Sequence, residues 1–124
     1  MKIDGKVKEI LSKEAPAAMV TTSREGPHLV GTWNSFIQVM NDETLAIPAG
    51  GMNDTEMNIR NGSELQLLVG SREIQGKSGP GAGYRLTGKP VFETSGPSYD
   101  KIKSVHNWAR GAVVVKVNEV EQLT

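Results

Sequence analysis

The chain has no cysteine among its 124 residues. That absence excludes disulfides, thiolate nucleophiles, cysteine-ligated zinc and iron–sulfur clusters, so any redox chemistry must come from an added cofactor. Net charge is lacking too: 14 Lys plus Arg balance 14 Asp plus Glu, and no global field draws the protein to nucleic acid or to an anionic membrane. Histidine is scarce, and neither His28 nor His106 has a second His, Asp or Glu at a metal-ligand spacing. No Ser sits in a Gly-x-Ser-x-Gly elbow, which argues against hydrolysis. The paired Asp42-Glu43 falls in a turn, where solvation accounts for it. No run approaches the roughly 20 apolar residues of a membrane-spanning helix, and Met1-Lys2-Ile3-Asp4-Gly5-Lys6 lacks a signal-peptide core. The expected location is cytoplasmic.

What is present suits one domain over residues 1–124 with a single core. The hydrophobic fraction is 37%, and 14 Gly promise many turns and close backbone contacts. Val7, Ile10, Leu11 and Ala15 at helical spacing predict a first short helix closed by Pro16. Residues 17–22 and 27–40 read as extended runs joined by the turn Ser23-Arg24-Glu25-Gly26. Thr44-Leu45-Ala46-Ile47 is a further strand, stopped by Pro48-Ala49-Gly50-Gly51. Asn53 followed by Glu56 has the pattern of a capping box opening a second helix, which Asn61-Gly62 ends. Strands are expected over 64–69, 84–94 and 112–117, with a Gly-rich connection over 71–83 and a third helix from Pro97 bearing Tyr99, Ile102 and Val105 on one face. These elements do not alternate as βαβ units, so an antiparallel barrel with helices on its rim is the expectation.

Gly76, Gly79, Gly81 and Gly83 do not have Rossmann spacing; they fit either a mobile loop or a close backbone approach to a ligand or a partner subunit. The region from Leu29 to Thr55 is more telling. A strand carrying Thr32, Trp33, Asn34 and Ser35 is followed by a Gly pair that opens onto a helix N-terminus. Free amides there, with the Thr55 hydroxyl, can hold a phosphate favoured by the helix dipole. The same pattern also describes a plain capped helix after a Gly-rich turn.

Residues Gly26 to Ser35 (GPHLVGTWNS), Pro48 to Met52 (PAGGM), Thr55-Glu56, Gly70-Ser71-Arg72, Gly79-Pro80-Gly81 and Trp108-Ala109-Arg110 closely resemble the small FMN-binding proteins of sulfate-reducing bacteria, within the pyridoxamine-phosphate-oxidase-like split barrels. The resemblance runs along nearly the whole chain. It implies a mainly β, six-stranded antiparallel split barrel of Greek-key type with about three short helices, dimeric, holding FMN noncovalently near the subunit interface. By the same resemblance Thr32, Trp33, Asn34 and Ser35 line the flavin ring, and Pro48, Ala49, Gly50, Gly51 and Met52 form the loop beside it. Thr55 then supplies a phosphate-binding hydroxyl, and Trp108 an aromatic from the second subunit. Trp33 could equally fill the barrel core.

Asp54 departs from the pattern, standing where close relatives place a Lys that pairs with the phosphate. Losing such a charge-assisted bond costs about 1.5–3 kcal/mol. The charge could come instead from Arg72, Lys77 or Arg85, or Asp54 could serve the helix dipole. The implied function is flavin-dependent redox chemistry or electron transfer with a protein partner; the alternatives are a flavin-storage module or an oxidoreductase acting on a small substrate. A haem is disfavoured because neither His28 nor His106 presents an axial ligand.

Overall fold

A computed structural model describes residues 3–124. Seven antiparallel strands form one sheet in the order β2-β1-β5-β6-β7-β4-β3. They are β1 (Pro16–Ser23), β2 (Gly26–Trp33), β3 (Gln38–Val39), β4 (Thr44–Ala49), β5 (Leu65–Gln75), β6 (Pro80–Glu93) and β7 (Gly111–Gln122). Three short helices accompany them: α1 (Gly5–Leu11), α2 (Asn53–Arg60) and α3 (Pro97–Val105). The fold is mainly β and antiparallel, as expected.

The strand number is a correction, seven and not six. The run over 27–40 does not continue as one strand. A 3-10 turn over Asn34–Phe36 breaks it, and the chain resumes as the two-residue β3. Asn34 causes the break by turning inward, fully buried, where its side-chain amide reaches three carbonyls. The turn also curls the sheet. β2 and β3 are opposite edges, yet only Asn34 to Ile37 lie between them, a stretch that spans at most roughly 18 Å even when extended. A flat sheet of this order would hold its edges about 29 Å apart. The sheet therefore bends into a half-barrel.

Strand alternation decides what the barrel holds. On β1, Ala17, Met19 and Thr21 point inward, and their cross-strand partners on β2 are Thr32, Val30 and His28. Leu65, Leu67 and Val69 of β5, Leu86 of β6 and Val113, Val115 and Val117 of β7 complete the interior. Helix α1 plugs it with Val7 and Ile10. The Asp4 carboxylate caps that helix, accepting the Val7 N–H at 3.0 Å. The helix ends at Leu11, short of the expected Pro16, because Asn34 takes the Ile10 and Lys13 carbonyls; Pro16 instead opens β1. A smaller cluster of Ala46, Ile102, Ala109 and Ala112 seats α3 against β4 and β7.

The Gly-rich connection over 71–83 is mostly strand, the closed end of the β5–β6 hairpin. A Cβ on Gly76 would lie 2.2 Å from the Gly81 carbonyl oxygen, so only glycine lets these backbones meet. The close approach expected of these glycines is thus to their own hairpin and to Thr124 at the C-terminal end. Among the described residues no helix is long and apolar enough to cross a membrane.

Candidate functional site

β4 leads straight into the site. Its last residues, Pro48 and Ala49, are buried and pair with Ala112 and Gly111 of β7. β3 pairs only with Leu45 and Ala46, so Pro48 sits beyond the reach of that neighbour and its missing N–H breaks no ladder. Gly50 and Gly51 then reverse the chain into Met52, the only non-glycine with positive φ among the described residues (φ 59°, ψ 38°). Such a conformation costs an L-residue about 1–2 kcal/mol and must be held from outside.

Arg110 holds it. The Nε and Nη2 atoms donate to the Gly51 carbonyl at 3.0 and 2.6 Å, Nη2 also donates to Asn53 Oδ1 at 3.0 Å, and Nη1 donates to Glu56 Oε1 at 2.8 Å. The Arg110 backbone N–H donates to the Ala49 carbonyl at 2.8 Å, and its guanidinium lies 5.1 Å from the centre of the Phe92 ring. Hydrogen bonds from Arg110, then from Arg60, hold the Glu56 carboxyl below the usual carboxylate range. One guanidinium thus ties the loop, the start of α2 and the start of β7 together.

This brace leaves the α2 N-terminus open. The expected capping box does not form: Asn53 is the first helical residue, the N-cap is Met52, and no side chain caps the helix. Glu56, which would have closed the box, is turned toward Arg110 and Arg60. The first N–H groups of α2, on Asn53, Asp54 and Thr55, have no carbonyl within the helix to bond. Beside them, Thr55 is fully buried and its hydroxyl has no partner. An unmet buried hydroxyl costs about 1–3 kcal/mol, which the fold carries with no return of its own. Amides, a buried hydroxyl and the positive end of a helix dipole are the donor set of a phosphate monoester site, so the residues present fit such a group.

The other sequence-predicted residues are spread over two strands and a turn. Thr32 is buried on the inner face, opposite Ala17. Trp33 lies on the outer face opposite Pro16 and is half exposed, so it does not fill the core. The Asn34 Nδ2 donates to the carbonyls of Lys13 and Gly70 at 3.0 Å each and of Ile10 at 3.3 Å. Three carbonyls fix the amide's orientation and leave Oδ1 as a buried acceptor without a donor. Ser35 is exposed, its N–H and hydroxyl donating to Glu14 at 3.1 and 2.5 Å and pulling that carboxyl below its usual range. Asp54 is exposed in the first turn of α2.

Trp108 packs on the Gly50 loop of its own chain; a Cβ on Gly50 would lie 3.2 Å from its ring. With Phe36 and His106 it forms a cluster of tilted rings, centroids 4.9–5.7 Å apart. Arg110's bracing role and the place of Phe36 beside His106 and Trp108 were not legible in the sequence, because Gly51, Asn53 and Glu56 lie more than fifty residues from Arg110 and Phe36 lies seventy or more from the other two rings; only the Trp108-Ala109-Arg110 run hinted at the region.

Of the cations suggested to offset Asp54, none is brought to α2. Arg85 is ion-paired to Glu121. Arg72 and Lys77 belong to the closed end of the β5–β6 hairpin, whereas Arg60 and Arg110 meet β6 at its far end, on Phe92. Arg24 shares a cleft with Asp54, across a space of about 890 Å³ beside α2 that Glu25, His28, Met57 and Asn58 also line.

Residues 3–124 match the family model described as pyridoxamine 5'-phosphate oxidase, and the chain belongs to that family. Within it, the chain is 39% identical over 114 residues, 92% of its length and 93% of the relative's, to the FMN-binding protein of Nitratidesulfovibrio vulgaris (strain DSM 19637 / Miyazaki F). The resemblance read from the motifs is thereby borne out. The fold recurs in the crystal structure of Group A Streptococcus HupZ (TM-score 0.79, 20% identity, covering 98% of this chain and 94% of that one). It recurs also in a putative pyridoxamine 5'-phosphate oxidase from Lactobacillus delbrueckii (TM-score 0.76, 13% identity, covering 97% and 93%).

Proposed function

We propose that this chain is a cytoplasmic, homodimeric flavoprotein that binds FMN noncovalently and exchanges electrons with a redox partner. The observation that carries the reading is the uncapped α2 N-terminus joined to the fully buried, unpartnered Thr55 hydroxyl. The amides of Asn53 to Thr55 and that hydroxyl would hold the phosphate. Gly51 presents bare backbone beside them, and Trp33 and Trp108 offer half-exposed aromatic surface for a planar ring. Bound FMN supplies one- and two-electron redox chemistry. Thr32, Trp33, Ala49, Gly50, Gly51 and Met52 carry no titratable group, which supports electron exchange over proton transfer to a bound substrate.

A second copy of the chain is the proposed cover for the outer sheet face. Leu29 is 67% exposed and Leu68 48%, and with Trp33, Val20, Ala18 and Gly31 they share the outer side of β2, β1 and β5 by register. The test of electron transfer is stopped-flow oxidation of the photoreduced protein by a low-potential cytochrome or ferredoxin. Fast reoxidation supports the reading, and indifference to both partners favours flavin storage.

A further inference from the structure

We infer that this site discriminates little between FMN and riboflavin, because its phosphate end carries no net positive charge. The inference rests on the flavin reading above and goes on to the ligand's terminal group.

The donors at the α2 start are all neutral: backbone amides and the Thr55 hydroxyl. Arg110, which bonds Asn53 at the helix start, is committed through Nε, Nη1 and Nη2 to Gly51, Asn53 and Glu56. Arg60 is committed to Glu56, its Nε and Nη2 lying 3.0 and 2.9 Å from the same carboxylate oxygen. Arg24 shares its cleft with Glu25 and Asp54. The three guanidiniums around α2 are thus matched in number by three carboxylates, those of Glu25, Asp54 and Glu56.

Asp54 tips the balance further. It stands in the first turn, one residue before Thr55, where its carboxylate draws on the same helix dipole that a phosphate would use. A dianion bound there gains the amide and hydroxyl contacts and meets the repulsion of a neighbouring charge. The terminal hydroxyl of riboflavin can bond the same amides and Thr55 without that repulsion. What selectivity remains must come from the ring side of the site, which the two ligands share. Asp54 is therefore a specificity residue for the uncharged end of the flavin.

The test is a pair of titrations, FMN and riboflavin, followed by quenching of flavin fluorescence, on the wild-type protein, Asp54→Asn and Asp54→Lys. The wild type is expected to bind the two ligands within tenfold of each other. Asp54→Asn should raise the preference for FMN several-fold and Asp54→Lys at least tenfold, riboflavin affinity staying constant in both. A wild-type preference for FMN above tenfold overturns the inference and leaves the flavin reading standing. A preference that neither substitution changes also overturns it. Failure of both ligands to bind the wild type overturns the flavin reading itself.

Discussion

Thr55→Val should move stability and ligand affinity in opposite directions. The Thr55 hydroxyl is wholly buried and unpartnered, and valine has the same shape with a methyl in its place. Leaving a buried hydroxyl unmet costs about 1–3 kcal/mol, and Val and Thr differ little in helix propensity. The flavin-free variant should therefore gain about 1 kcal/mol, which for a domain of this size raises Tm by roughly 3–6 °C. In the proposed complex the hydroxyl would donate to a phosphate oxygen, a charge-assisted bond of about 1.5–3 kcal/mol, so the variant should lose roughly 10- to 150-fold in FMN affinity. Differential scanning fluorimetry with and without FMN reads both effects. The variant should melt higher than wild type without ligand, and the shift produced by saturating FMN should be smaller. A lower Tm without ligand would mean that the hydroxyl has a partner. Unchanged affinity would mean that it does not touch the flavin.

Further outcomes follow from the brace, the buried amide and the outer face. Arg110→Ala removes the bonds that hold the Gly51 carbonyl and Asn53; flavin affinity should fall by about tenfold or more while far-UV circular dichroism is unchanged, as isothermal titration would show. The Glu56 carboxyl lies below its usual range in the folded protein, so the stabilisation it gives is complete above the ordinary carboxylate pKa and is lost as pH falls through the depressed one. Melting curves from neutral to acid pH should show that loss, and Glu56→Gln should lower Tm at neutral pH and flatten the acid limb, the Glu14 contribution remaining. Asn34→Ala strands buried carbonyls and should cost about 2–4 kcal/mol by urea denaturation. Leu29→Glu with Leu68→Glu should convert the proposed dimer to a folded monomer in light scattering.

Local patterns carried most of the fold. Alternation gave the strands, Pro97 after Gly96 opened α3, and Asn61-Gly62 closed α2. The departures arise where a contact distant in the chain overrides the local pattern. The run over 27–40 looks continuous because the break depends on Asn34 reaching carbonyls 21 to 36 residues away. The capping box at Asn53 and Glu56 fails because Arg110, more than fifty residues further on, takes the glutamate. The candidate site was half legible for the same reason. Thr55 at a helix start is visible as a pattern, whereas the isolation of its hydroxyl is a property of packing. Asp54 stood out as a reversed charge, but the commitment of Arg60 and Arg110 to Glu56 is visible only in three dimensions.

Titration of the flavin-free protein with FMN tests the central claim most directly. Flavin fluorescence should quench with an equivalence point of one FMN per chain, and Thr55→Val should bind more weakly in the same cell. Unquenched fluorescence and an unchanged flavin absorption spectrum, with the protein in excess at tens of micromolar, would contradict the account.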